Sequence, residues 1–147
     1  MAGTEVEIVL VEDDPNDAEL ITRSLRKYHL ANKIVLLEDG AKALDFLFGK
    51  GGWAETPDHV APKVVLLDVK LPKVNGLEVL GRIKSDPRTR DIPVVMLTSS
   101  NQERDVEAAY KLGANSFVTK PIKFDEFAKA VADLGIYWVM LNVAPPR

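Results

Sequence analysis

Apolar residues along this chain fall into short unbroken runs separated by amphipathic stretches. Residues 64–67 (VVLL) are apolar throughout and end on Asp68, with Pro72 shortly after. A run without polar alternation reads as a strand buried on both faces, as in a parallel sheet covered by helices. Comparable runs occupy residues 5–11 (EVEIVLV), 33–37 (KIVLL), 92–99 (IPVVMLTS) and 116–119 (SFVT). Between them the apolar positions take helical spacing: Ala18, Ile21, Leu25 and Tyr28; then Ala41, Leu44, Leu47 and Phe48; then Leu77, Leu80 and Ile83. Asp14 is the expected N-cap of the first helix, with Pro15 at its first position and Asp17 in its first turn. Ser100 and Glu103 form a capping box for a fourth helix, which Gly113 terminates. A last helix begins near Lys123 and passes Trp138. The tail 142–147 carries Pro145 and Pro146 and cannot be helical.

Strand and helix thus alternate five times, which predicts an α/β fold of the flavodoxin-like, doubly wound kind. The expected core is a five-stranded parallel sheet in the order 2-1-3-4-5, with right-handed crossovers. In such a sheet ligands gather beyond the carboxyl ends of the strands, at the switch point between strands one and three. Those strands end here in Glu12–Asp13 and in Asp68. A single domain is expected over residues 1–147, with a core at about 4–135 and a helical C-terminal extension. The longest irregular connection, 49–62, is Gly- and Pro-rich and reads as a surface excursion.

Composition narrows the chemistry. The 147 residues contain no cysteine, which excludes disulfides, thiolate catalysis and zinc–thiolate sites. A formal charge of −3 gives no basic footprint for nucleic acid. No segment has the apolar length of a membrane span and the start lacks a signal-peptide pattern, so a cytoplasmic protein is expected. His29 and His59 lack ligand spacing, and Lys50 in FGKGGW lacks the rest of a phosphate-binding loop. Lys70 and Lys73 read as solvated loop charges. The remaining polar groups of interest, Glu12, Asp13, Asp68, Thr98 and Lys120, all fall at strand ends. Three converging carboxylates repel; Lys120 and one divalent cation would balance them, and oxygen-only donors select a hard ion, Mg2+. Such a site suits phosphoryl chemistry, in which a carboxylate can be the nucleophile and a hydroxyl such as that of Thr98 donates to a phosphoryl oxygen.

These residues, in the settings EDD after strand one, LLDVKLP, MLTSS and VTKP, resemble a response-regulator receiver domain over nearly the whole chain. The resemblance implies phosphate transfer to Asp68 from the phosphohistidine of a sensor histidine kinase. It further implies Mg2+ held by Asp13, Asp68 and the backbone carbonyl of Lys70, with Glu12 acting mostly through water. Lys120 would pair with the phosphoryl group, Thr98 would move to bond it, and Phe117 would be the aromatic switch. The only enzymatic behaviour implied is self-directed phosphotransfer and autodephosphorylation. Glu12 departs from the commoner Asp, and Phe117 from the commoner Tyr. The stretch LEDGAKALDFLFG and the ending YWVMLNVAPP are also similar to single-domain regulators that partner bacterial phytochromes.

Two other classes compete. Aspartyl-phosphate hydrolases of haloacid-dehalogenase type use the same residue kinds, but place a DxD nucleophile after strand one, whereas Asp68 follows strand three. A flavodoxin-like FMN carrier needs a phosphate cradle where EDDPND would repel phosphate. Finally, Phe124, Phe127, Val131, Leu134, Trp138 and Leu141 form an inward stripe on the last helix. Ile136, Val139 and Met140, with part of Tyr137, are left on its outer side. That patch predicts a homodimer.

Overall fold

The computed structural model describes residues 8–27, 33–49, 62–98 and 103–119. Five strands, β1 (Ile8–Val11), β2 (Ile34–Leu37), β3 (Val64–Asp68), β4 (Val94–Thr98) and β5 (Ser116–Thr119), form one parallel sheet in the order β2-β1-β3-β4-β5. The described helices are α1 (Pro15–Lys27), α2 (Gly40–Phe48), α3 (Gly76–Ser85) and α4 (Glu103–Lys111). The expected last helix and the patch Ile136, Tyr137, Val139 and Met140 lie outside the described residues.

Side chains alternate across the sheet, so each strand feeds two cores. Leu10, Leu66 and Leu97 face α1 and pack with its Ala18, Ile21 and Leu25. Val11, Leu67 and Met96 face the other way, onto Leu47 of α2 and Val79, Leu80 and Ile83 of α3. All five residues of β3 are buried, which is why its sequence shows no alternation. Full burial of a leucine contributes about 1.5–3 kcal/mol, so the paired leucines Leu66 and Leu67 anchor the strand that carries Asp68.

The helix ends follow local chemistry. Asp14 Oδ1 accepts from Asn16 N at 2.8 Å and Asp17 N at 3.3 Å, capping α1 as expected. Asp39 caps α2 through Lys42 N at 2.7 Å, and Asn75 caps α3 through Leu77 N at 2.8 Å. Gly113, at φ +104°, ends α4. The Gly113 and Ala114 amides donate to the carbonyls of Tyr110 and Ala109, a Schellman arrangement. β4 starts two residues later than expected. Ile92 N–H is committed to Thr89 O in a turn, and Pro93 has no N–H to offer the ladder. Lys84 ties the lower ends of α3, β4 and β5 together, its ammonium donating to Arg90 O, Ile92 O and Asn115 Oδ1.

Candidate metal and phosphoacceptor site

Register brings the carboxylates together. Val11 pairs with Leu67, so the next residues, Glu12 and Asp68, leave β1 and β3 side by side at the carboxyl edge. The ladder continues one residue past each strand, with Glu12 N donating to Leu37 O at 3.0 Å and Val69 N to Leu97 O at 2.9 Å. These bonds fix the backbone on which the acids sit. Glu12 and Asp68 are buried and Asp13 is exposed; one carboxylate oxygen from each lies within 4.8 Å of the others. Asp14 is engaged in capping α1, which assigns it a structural part and leaves the cluster to its neighbours.

Three negative charges at this separation repel by about 3 kcal/mol per pair at an effective dielectric near 20. A cation placed among them reverses that sign. The donor set is oxygen only, which fits a hard divalent ion of the Mg2+ or Mn2+ kind. Glu12 Oε2 also accepts from Asp14 N at 3.1 Å, and Asp68 Oδ1 from Lys70 N at 3.2 Å, so two of the acids are oriented by backbone before any ion binds.

The loop after Asp68 is tightly constrained. Gly76 N–H donates to Val69 O at 2.9 Å, and a Cβ on Gly76 would meet Asp68 O at 1.9 Å. The first turn of α3 therefore rests directly on the Asp68 backbone. Lys70 lies at the start of this loop with its side chain exposed. Lys73 is exposed, in line with the solvated reading, and its Nζ also lies 3.6 Å from Asp39 Oδ2; its φ is +68°. The backbone hydrogen bond from Lys42, opposed by burial and helped by the Lys73 charge, holds the Asp39 carboxyl below the usual range.

Thr98 ends β4, one residue beyond Leu97, the register partner of Asp68. It therefore reaches the same edge on the adjacent strand. Phe117 pairs with Met96 and is half-buried against the α2–α3 side of the sheet. Lys120 directly follows β5 and lies outside the described residues. Sequence reasoning brought together Glu12, Asp13 and Asp68. It passed over Asp39, Gly40 and the Lys73 pairing, for which the only signal was an Asp-Gly step before an apolar helix.

The chain is similar to several known proteins. The chain is 37% identical over 138 residues to the response regulator Rcp1 of Synechocystis sp., covering 94% of this chain and 92% of that protein. Rcp1 has also been solved in a Mn(2+)-bound form, with a TM-score of 0.74 at 36% identity, covering 97% and 99% of the two chains. The structure of the bacteriophytochrome response regulator AtBRR matches at 51% identity and a TM-score of 0.78, covering 94% and 98%. A probable methanogenesis regulatory protein, FilR2 of Methanothrix harundinacea, is 40% identical over 139 residues, covering 94% and 86%. None of these supports the dehalogenase-type hydrolase. No helix among the described residues is long and apolar enough to cross a membrane. Residues 8–132 match the response regulator receiver domain, and the chain belongs to that family.

Proposed function

We propose that Asp68 is the phosphoacceptor of a two-component pathway, loaded by a sensor histidine kinase with Mg2+ as cofactor. The observation that carries this is the cluster of Glu12, Asp13 and Asp68 oxygens within 4.8 Å, at the carboxyl edge of the central strand. An Asp68 carboxylate oxygen attacks the phosphorus of a phosphohistidine. The new P–O bond forms as the P–N bond breaks, and the imidazole, protonated on its second ring nitrogen, departs neutral. Asp13, Asp68 and the Lys70 carbonyl would hold Mg2+, with Glu12 mostly through water, and the bound ion would supply positive charge toward the phosphoryl oxygens. Lys120 pairs with the same oxygens and the Thr98 hydroxyl donates to one of them. Phe117, next to β4 in register, follows that movement as the aromatic switch.

The similarity to AtBRR supports a bacteriophytochrome-type kinase as the phosphoryl source. Output in this reading passes through protein contacts of a single receiver domain in the cytoplasm. These include a homodimer through Ile136, Tyr137, Val139 and Met140, which sedimentation of an Ile136→Glu, Met140→Glu double variant tests. The primary test is intact-mass measurement after incubation with acetyl phosphate and Mg2+, then phosphotransfer from a phytochrome-type kinase. Wild type gains one phosphoryl group and Asp68→Asn gains none. An undiminished adduct on the variant refutes the assignment.

A further inference from the structure

The loop that follows Asp68 is keyed to the start of α2 by a residue with no side chain. Gly40 N–H donates to Pro72 O at 3.3 Å, and Val74 N–H donates to the same oxygen at 2.8 Å. A Cβ on Gly40 would meet Val74 O at 1.9 Å and its carbonyl carbon at 2.7 Å. Backbone atoms cannot swing aside as a side-chain tip can, so the close approach requires glycine. Between the two bonds, Lys73 sits at φ +68°, the central residue of a γ-turn of the positive-φ kind, which few non-glycine residues adopt unless their surroundings hold them there. The surroundings here are Gly40 on one side and the Asp39 carboxylate 3.6 Å from the Lys73 ammonium on the other. Asp39 is itself fixed by its bond to Lys42 N. The two ends of the loop are fixed by Lys70 N on Asp68 Oδ1 and by Gly76 N on Val69 O. The contact with α2 fixes its middle.

We infer that Asp39 and Gly40 are positioning residues for the phosphoacceptor centre, holding the turn at Pro72–Val74 so that the Lys70 carbonyl and Asp68 present a preformed cation site. This rests on the metal-assisted reading above. A peptide group free to rotate in mid-loop would carry the Lys70 carbonyl away from the carboxylates, and the ion would have to order it on binding. The coupling is reciprocal: if the α2 contact favours the ion, the ion must favour the α2 contact.

The test combines residue-resolved amide exchange of the wild type, with and without Mg2+, and calorimetric Mg2+ titration of wild type, Gly40→Ala and Asp39→Asn. Saturating Mg2+ is expected to slow exchange of the Gly40 and Val74 amides by about threefold or more. Gly40→Ala is expected to weaken Mg2+ binding about tenfold at unchanged helix content. Asp39→Asn keeps an oxygen for the Lys42 cap and loses only the charge facing Lys73; its expected loss is about twofold. Should Gly40→Ala fail to fold, wild-type exchange and Asp39→Asn decide. Mg2+ saturation with unchanged exchange at both amides, or a folded Gly40→Ala that binds as wild type, overturns the inference and leaves the proposed function standing. A wild type that never saturates with Mg2+ overturns the metal reading, and this inference with it.

Discussion

Gly76 and Gly81 lie in the same helix, and alanine at each should act in opposite directions. At Gly81 an added Cβ meets only Leu112 Cδ2 at 3.7 Å, an ordinary contact. Alanine there gains helix propensity and reduces the entropy of the unfolded chain, so Gly81→Ala should stabilise by up to about 1 kcal/mol. At Gly76 the same atom lands 1.9 Å from Asp68 O and 2.9 Å from Asp68 C and Val69 Cα. The gap must open beyond 3.0 Å, a shift of about 1 Å that the N–H bond from Gly76 to Val69 O resists. Overpacking of this sort costs about 1–3 kcal/mol against a propensity gain of up to about 1 kcal/mol, leaving a net loss of up to about 2 kcal/mol. For a chain of this size that lowers the thermal midpoint by up to about 8 °C. The larger effect falls on chemistry, because what moves is the backbone of the proposed nucleophile; a displacement of about 1 Å costs roughly a hundredfold in transfer rate. Circular-dichroism melts and acetyl phosphate labelling rates of both variants measure this. Equal melting shifts, or a Gly76→Ala protein labelled at the wild-type rate, would refute the reasoning.

Lys84→Met keeps the side-chain stem and removes the ammonium from Arg90 O, Ile92 O and Asn115 Oδ1; urea denaturation should show a loss of about 2 kcal/mol, with labelling at Asp68 unchanged. Asp86 accepts from the Arg88 side chain and backbone, which lower its pKa to about 2. As pH falls below about 4 the unfolded carboxyl is protonated first. Its contribution is therefore complete above that pH and is lost toward pH 2. Asp86→Asn should flatten that part of the acid-stability curve by less than about 1 kcal/mol, since the pair is partly exposed.

β3 and β4 were legible because the middle of a parallel sheet is buried on both faces, as the runs VVLL and VVML reflect, whereas the edge strands β2 and β5 are only partly buried. The acid cluster was legible because strand order and chain order together fix which strand ends meet. What escaped was non-local. The pairing of the exposed Lys73 escaped because its partner Asp39 lies on a different loop. Lys84 stands on the polar side of a helix, and only the folded chain brings Asn115 to it. The late start of β4 escaped for a different reason: Ile92 has the composition of a strand residue but spends its amide on a turn. Apolar periodicity reports burial, whereas these contacts depend on where single donors are used.

The length of β3 also separates the acid cluster from the opposite edge of the sheet. α2 ends at Phe48 and β3 begins at Val64, both at the edge where strands start, while Asp68 is the last residue of β3. Four strand rises separate Val64 from Asp68, roughly 13 Å. Exposed charges are screened over about 8 Å at physiological salt, so charge at the lower edge scarcely reaches the carboxylates. Charge near the 69–75 loop acts at full strength. The two ends of β3 therefore differ in what they tolerate. A charge at Lys63, where the chain enters the strand, has little electrical consequence for the acid cluster. The loop leaving the strand is bound by backbone contacts at Gly40 and Gly76, where even a single methyl group has nowhere to go.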